Sequence, residues 1–260
     1  MIGRTSAMSR TAAGRELDAV VFDFYGTLAD APGFSFDIAI DTLLSALDAG
    51  LDRAAFTAAY RAEIGRYWRD VAAVGGEQHN TVWVAGAATA CGRPSAPDDP
   101  AVVAAVDAYF DRYRAEIVCF DGTVAAVAEL GREFRLGLVS NFTDPRPVRA
   151  TLDATGLDAH FGAVVISAEL GRRKPHRDIF AHALAELGAE PGRALYVGDD
   201  PVDDVAGAAA AGMRTAWIRR DHRSLLQREF QTGPEGDGAE PKPDYTVAGV
   251  AELVPLLVAD

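Results

Sequence analysis

Four short segments carry side chains that can do chemistry together. In Phe22-Asp23-Phe24-Tyr25-Gly26-Thr27-Leu28 a carboxylate directly follows the apolar run Ala19-Val20-Val21-Phe22. In Leu138-Val139-Ser140-Asn141 a hydroxyl and an amide end a second apolar run. Such a pair can offer a hydroxyl and backbone N–H groups to an anion. Gly171-Arg172-Arg173-Lys174-Pro175-His176 supplies a compact cation. The fourth segment, Tyr196-Val197-Gly198-Asp199-Asp200-Pro201-Val202-Asp203-Asp204-Val205, puts four carboxylates within six residues.

Each segment also has a plain structural reading. Asp23 can open a turn for which Gly26 supplies the backbone freedom. Ser140-Asn141 can cap a helix, and Lys174 can be a solvated loop cation. The acidic cluster is harder to dismiss. A helix N-terminus favours an acidic group by about 0.3–1 kcal/mol. Two like charges ~4 Å apart cost about 4 kcal/mol at an effective dielectric near 20. Capping accounts for one Asp and solvent carries others, while a bound cation relieves the remainder. Oxygen donors without a nearby His or Cys cluster suit a hard ion, Mg²⁺ first.

The elements that must position these groups follow from the hydrophobic pattern. Ala19–Phe22 reads as a buried parallel strand. Residues 34–118 read as four helices and no strand: Ile38, Leu43, Leu44 and Leu47 mark one apolar face, and Phe56, Tyr60, Ile64, Tyr67, Trp68 and Val71 a longer one. Gly75-Gly76 breaks it, Val82, Trp83 and Ala87 mark a third helix, and Val102, Val103, Val106, Phe110 and Tyr113 a fourth. After residue 120 strands and helices alternate, with strands expected at Leu136–Val139, Val164–Ser167, Ala194–Val197 and Thr215–Ile218. Residues 231–247 form a Pro/Gly-rich loop ahead of a short strand and a last helix, Val250–Val258. The expected fold is α/β, a Rossmann-like parallel sheet core (17–32 and 119–260) with an inserted α-helical unit (33–118) and a disordered tail at 1–16. All four chemical segments then fall at strand ends, where open parallel sheets bind ligands.

Composition narrows the partners. The 260 residues carry a formal charge of −13, which argues against nucleic acid and anionic membrane surfaces. No apolar run approaches the roughly 20 residues of a membrane helix. Cys91 and Cys119 fit no metal or redox spacing and read as core thiols in a reducing, cytoplasmic setting. Nothing in the sequence sets an oligomeric state. Lys174 and Lys242 are the two lysines among 25 basic residues, so a lysine at 174 stands against a bias for arginine.

In order, the segments Asp23-Phe-Tyr-Gly-Thr27, Ser140-Asn141, Lys174-Pro175 and Gly198-Asp199 with Asp204 resemble the four motifs of the haloacid dehalogenase-like hydrolase superfamily. The helical insertion is similar to the cap of the subfamily containing phosphoglycolate phosphatases and L-2-haloacid dehalogenases. The resemblance implies that Asp23 is a nucleophile forming an aspartyl-phosphate. It implies Mg²⁺ on the Asp23 carboxylate, the Tyr25 carbonyl and Asp199, with Asp204 nearby or water-bridged. Thr27, Ser140 and the N–H groups near Asn141 would contact the phosphoryl group of a small phosphorylated metabolite. Lys174 would pair with Asp23 and that group.

Tyr25 departs from the pattern. Phosphatases of the superfamily carry a second Asp there, as general acid and base, and a phenol is a poor base at neutral pH. Tyr-Gly-Thr-Leu and Lys-Pro-His resemble the metal-free dehalogenases, in which reading Arg61 would bind the substrate carboxylate or the leaving halide. Those enzymes resemble a Ser-Ser-Asn pattern at the fourth strand end, whereas this chain has a dense acidic loop. The expectation is therefore a Mg²⁺-dependent phosphatase. A dehalogenase-like hydrolase and a phosphate-binding regulatory protein with little turnover are the alternatives. His79 or Glu77, in the break at 75–80, is the candidate substitute for the missing Asp. Tyr67, Trp68 and Trp83 read as bundle core, or as substrate contacts.

Overall fold

The computed structural model describes residues 17–47, 50–219 and 242–258. The tail at 1–16 and most of the Pro/Gly-rich loop lie outside the described residues.

Six parallel strands form one sheet: β1 (Ala19–Phe22), β4 (Arg135–Ser140), β5 (Phe161–Ile166), β6 (Ala194–Gly198), β7 (Arg214–Ile218) and β8 (Tyr245–Val247). Their order is β5-β4-β1-β6-β7-β8, with β1 hydrogen-bonded to β4 on one side and to β6 on the other. Strand order therefore reverses at β1, and the carboxyl ends of β1, β4 and β6 flank one crevice. β1 is buried on both faces, so its run is apolar without alternation. Ala19 and Val21 face one helix layer, with Ile179 and Phe180 of α8 (Arg177–Leu187) and Ala208 of α9 (Gly207–Ala210). Val20 and Phe22 face the other, with Ala126, Val127 and Leu130 of α5 (Thr123–Glu133) and with Leu253 and Leu257 at the C-terminal turn and helix α10 (Val254–Leu257). Between the sheet elements lie α6 (Pro145–Thr155), capped by the Asp144 side chain, and the short α7 (Ser167–Leu170).

The inserted helices are α1 (Phe36–Leu47), α2 (Arg53–Asp70), α3 (Asn80–Ala90) and α4 (Pro100–Arg114). α1 packs on α4 and α2 on α3. Asp52 and Asp99 cap α2 and α4, and Pro100 starts α4 where its missing N–H costs nothing. On α2 the expected stripe Phe56, Tyr60, Ile64, Tyr67 is buried. On α1 the buried face is Phe36, Ala39, Ile40, Leu43 and Leu47, so Ile38 and Leu44 lie at its edge.

Two differences from the sequence reading have simple causes. The insertion leaves and rejoins the sheet domain through an antiparallel pair, β2 (Ala29–Asp30) with β3 (Val118–Cys119). Two-residue strands carry no periodicity to read. β8 begins inside the stretch expected as loop, and α9 is entered through a π-helical turn at Pro201–Ala206.

Candidate active site

Asp23 leaves the end of β1 with its N–H donating to Val197 O of β6 at 2.8 Å. The next residues turn back tightly: Leu28 and Ala29 donate to Phe24 O, and Gly26 donates to Ala29 O. Gly26 has φ +85°, and a Cβ there would lie 2.2 Å from Asp199 Oδ2. Glycine is thus required both by the turn and by the approach of the acidic loop.

Lys174 is buried and reaches three partners: Asp23 Oδ1 at 2.6 Å, Asp204 Oδ1 at 2.7 Å and Tyr196 Oη at 3.0 Å. Burial alone would favour the neutral amine, but Asp204 and Asp23 hold the ammonium well above the ordinary lysine range. Burial pushes the Asp23 carboxyl up to about 7 against the pull of Lys174. A divalent cation at the same oxygens would oppose that rise.

The second motif divides its labour. Ser140 Oγ is buried and, among the described residues, has no hydrogen-bond partner. Buried hydroxyls are normally satisfied, so this one fits a donor waiting for a ligand oxygen. The Asn141 side chain grips the backbone of Lys174 instead: Oδ1 accepts from Lys174 N at 2.8 Å, and Nδ2 donates to Lys174 O at 3.0 Å. Nδ2 also donates to Asp203 Oδ2 at 3.0 Å. This brace was not legible in the sequence, because its partner lies 33 positions away.

The acidic loop resolves into separate tasks. Asp200 caps the following turn, accepting from Val202 N and Asp203 N. Asp203 answers Asn141 and Arg173. Asp204 takes Lys174 on one oxygen and the Asp200 N–H on the other. Asp199 faces the Gly26 turn, its carbonyl fixed by Trp217 Nε1 at 3.0 Å. Carboxylate oxygens of Asp23, Asp199 and Asp204 lie within 4.8 Å of one another. An oxygen-only set this compact fits a hard divalent cation. The Tyr25 carbonyl is carried on the same loop.

Thr27 is buried in the Asp23 loop. Tyr25 places its ring in an aromatic cluster, 4.7 Å from Phe142 and 5.5 Å from Tyr113 between centroids. Burial lifts its phenol well above the ordinary range. Two expected substrate contacts are not brought to the cluster. Arg61 is exposed on α2 with its guanidinium 3.8 Å above the Phe36 ring. Its position on the solvent face of the helix took it away from the crevice. His79 caps α3, accepting from Thr81 N, and its Nε2 lies 3.4 Å from Asp144 Oδ2 rather than at Asp23. The Glu77 side chain is buried and accepts from Tyr67 Oη and Ser167 Oγ, each at 2.5 Å. Tyr67, Trp68 and Trp83 line a cavity between the inserted helices and the sheet domain, with Glu77, Asn141 and Arg173.

The N-acylneuraminate-9-phosphatase of Mus musculus is 33% identical over 142 residues, 54% of this chain and 52% of that protein. The chain spans about half the length of the curated relatives it matches first. A solved phosphatase from Thermococcus onnurineus superposes with a TM-score of 0.61 at 24% identity, covering 92% of this chain and 96% of that one. The L-2-haloacid dehalogenase of Xanthobacter autotrophicus gives 0.59 at 22%, covering 91% and 96%. At such identities the likeness is one of fold, shared by both chemistries. The family model for haloacid dehalogenase-like hydrolases matches residues 17–212, from the start of the sheet to just beyond the acidic loop. A match that spans all four motifs settles the kinship: this chain is an enzyme of the haloacid dehalogenase-like hydrolase family.

Proposed function

We propose that the protein hydrolyses a small phosphate monoester with Mg²⁺, through an aspartyl-phosphate on Asp23. The observation that carries this reading is the convergence of Asp23, Asp199 and Asp204 within 4.8 Å, beside Lys174. Asp23, Asp199 and the Tyr25 carbonyl would hold the ion, with Asp204 beside them. When bound, the ion would neutralise phosphoryl oxygens as the anionic nucleophile approaches.

The residues supply the rest. Asp23 attacks phosphorus, the bond to the ester oxygen breaks, and its electron pair leaves with that oxygen, which takes a proton from solvent. Water then cleaves the acyl phosphate and restores the carboxylate. Lys174 fixes Asp23 and faces the charge carried by the transferring group. The Ser140 hydroxyl donates to a phosphoryl oxygen. Residues 33–118 act as the cap that excludes water and selects the ester. The phosphatase names of the relatives support a small phosphorylated substrate. A cytoplasmic setting belongs to this reading, since Cys91 and Cys119 are free thiols that a reducing compartment preserves.

Tyr25 favours a second reading, displacement of halide from a 2-halo acid. A panel of phosphate monoesters and 2-chloropropionate, each with Mg²⁺ and with EDTA, separates the two. Phosphate release abolished by EDTA is expected. Halide release that survives EDTA contradicts the proposal, and phosphate binding without turnover across the panel points to a regulatory protein instead.

A further inference from the structure

Arg173, next to the lysine of the site, is a buried cation that the proposed chemistry does not use. Its Nη1 donates to Tyr67 Oη of α2 and lies 3.9 Å from Glu77 Oε2. Its Nη2 lies 3.6 Å from Asp203 Oδ2, and its guanidinium sits 4.4 Å above the Trp68 ring. Its N–H donates to Gly75 O at 3.0 Å, and Arg172 forms an antiparallel bridge with Gly76. Tyr67, Trp68, Gly75 and Glu77 belong to the insertion, whereas Asp203 belongs to the acidic loop. Asp203 shares the Asn141 amide that grips Lys174. A planar fork can serve a phenol and two carboxylates while lying flat on an indole, which an ammonium cannot do.

We propose that Arg173 is a positioning residue that couples the docking of the inserted helices to the placement of Lys174. The proposal rests on the phosphatase reading for its kinetic consequence. With the helices docked, Tyr67 and Glu77 fix the fork, and the Asp203–Asn141 brace sets the Lys174 backbone. Without them the lysine loop loses its outer anchor, and the ammonium no longer holds Asp23 in line.

Arg173→Lys keeps the charge and loses the fork, and Tyr67→Phe removes a single hydroxyl and keeps the ring. Both are assayed on the full chain with p-nitrophenyl phosphate and Mg²⁺, well below the melting transition. Hydrogen exchange is followed in 74–78 and 172–174, with Arg214–Ile218 of β7 as reference. We expect kcat to fall about tenfold or more, as for a misplaced group, with KM changed less than about twofold. Exchange should rise together in both segments and stay constant in the reference. Wild-type kcat in both folded variants overturns the proposal, as does a loss of kcat with unchanged exchange at 172–174. If the wild type releases phosphate from no ester of the panel, the phosphatase reading falls, and the exchange arm alone decides the coupling.

Discussion

The two walls of the crevice are built from opposite materials. The sheet edge is a set of charges, each matched to a named partner: Lys174 to Asp23, Asp204 and Tyr196, and Asp200 to the N–H groups of its own turn. The facing wall is a set of rings, with Tyr67 against Trp83 at 4.8 Å and Tyr109 against Phe110 at 4.9 Å. A buried charge needs particular partners at particular distances, so the sheet edge tolerates few residue types. Rings pack in many tilted arrangements, so the other wall can vary with little penalty. On the proposed reading, the first wall would hold the reacting groups and the second would set the ester.

The contrast breaks most readily at Asp23. Asp23→Asn should lower phosphate release about 10⁴-fold or more while the fold persists. Lys174→Met should leave Asp23 and Asp204 buried without their cation and cost about 3–5 kcal/mol in urea unfolding. Gly26→Ala puts a Cβ 2.2 Å from Asp199 Oδ2 at a positive φ, so half-maximal activity should need about 10–100-fold more Mg²⁺.

Smaller effects sharpen the boundary between the walls. Burial would raise the Asp144 carboxyl, yet bonds from His79 and Arg146 hold it below its ordinary value of 3.8. A lowered carboxyl pKa stabilises the fold above 3.8 and loses that contribution as pH falls through the acid range. Asp144→Asn should therefore remove about 1.5 kcal/mol at pH 7, with a difference that shrinks towards pH 2. The smallest effect belongs to Tyr25→Phe. The Tyr25 hydroxyl is buried beside that of Tyr113, away from Asp23 and its partners, so turnover should stay within about twofold of wild type. A collapse of phosphate release in this variant would return the phenol to the chemistry.

The same contrast explains what was legible in the sequence. Strand ends carrying Asp23, Ser140 and Asp199 could be found because a buried apolar run followed by a polar group is a local pattern, whereas Lys174 lies in the loop after α7 rather than at the end of β5, and its motif alone pointed to it. The burial of Phe56, Tyr60, Ile64 and Tyr67 was local in the same sense. The Asn141 brace, the Tyr196 hydroxyl against Lys174 and the Arg173 fork were not legible, since each depends on a partner tens of positions away. Arg61 and His79 were chosen for residue type and for their place in the inserted segment. Their actual contacts, a phenyl ring and the cap of α6, are set by helix phase and loop path.

The central claim is that Asp23 accepts a phosphoryl group in a site that needs Mg²⁺. Rapid quenching followed by mass analysis of the peptide containing Asp23 tests it most directly. We expect a phosphoryl adduct on Asp23 after mixing with a hydrolysed monoester and Mg²⁺, and none with EDTA or in Asp23→Asn. An ester adduct on the same residue, formed from 2-chloropropionate without metal, would contradict it.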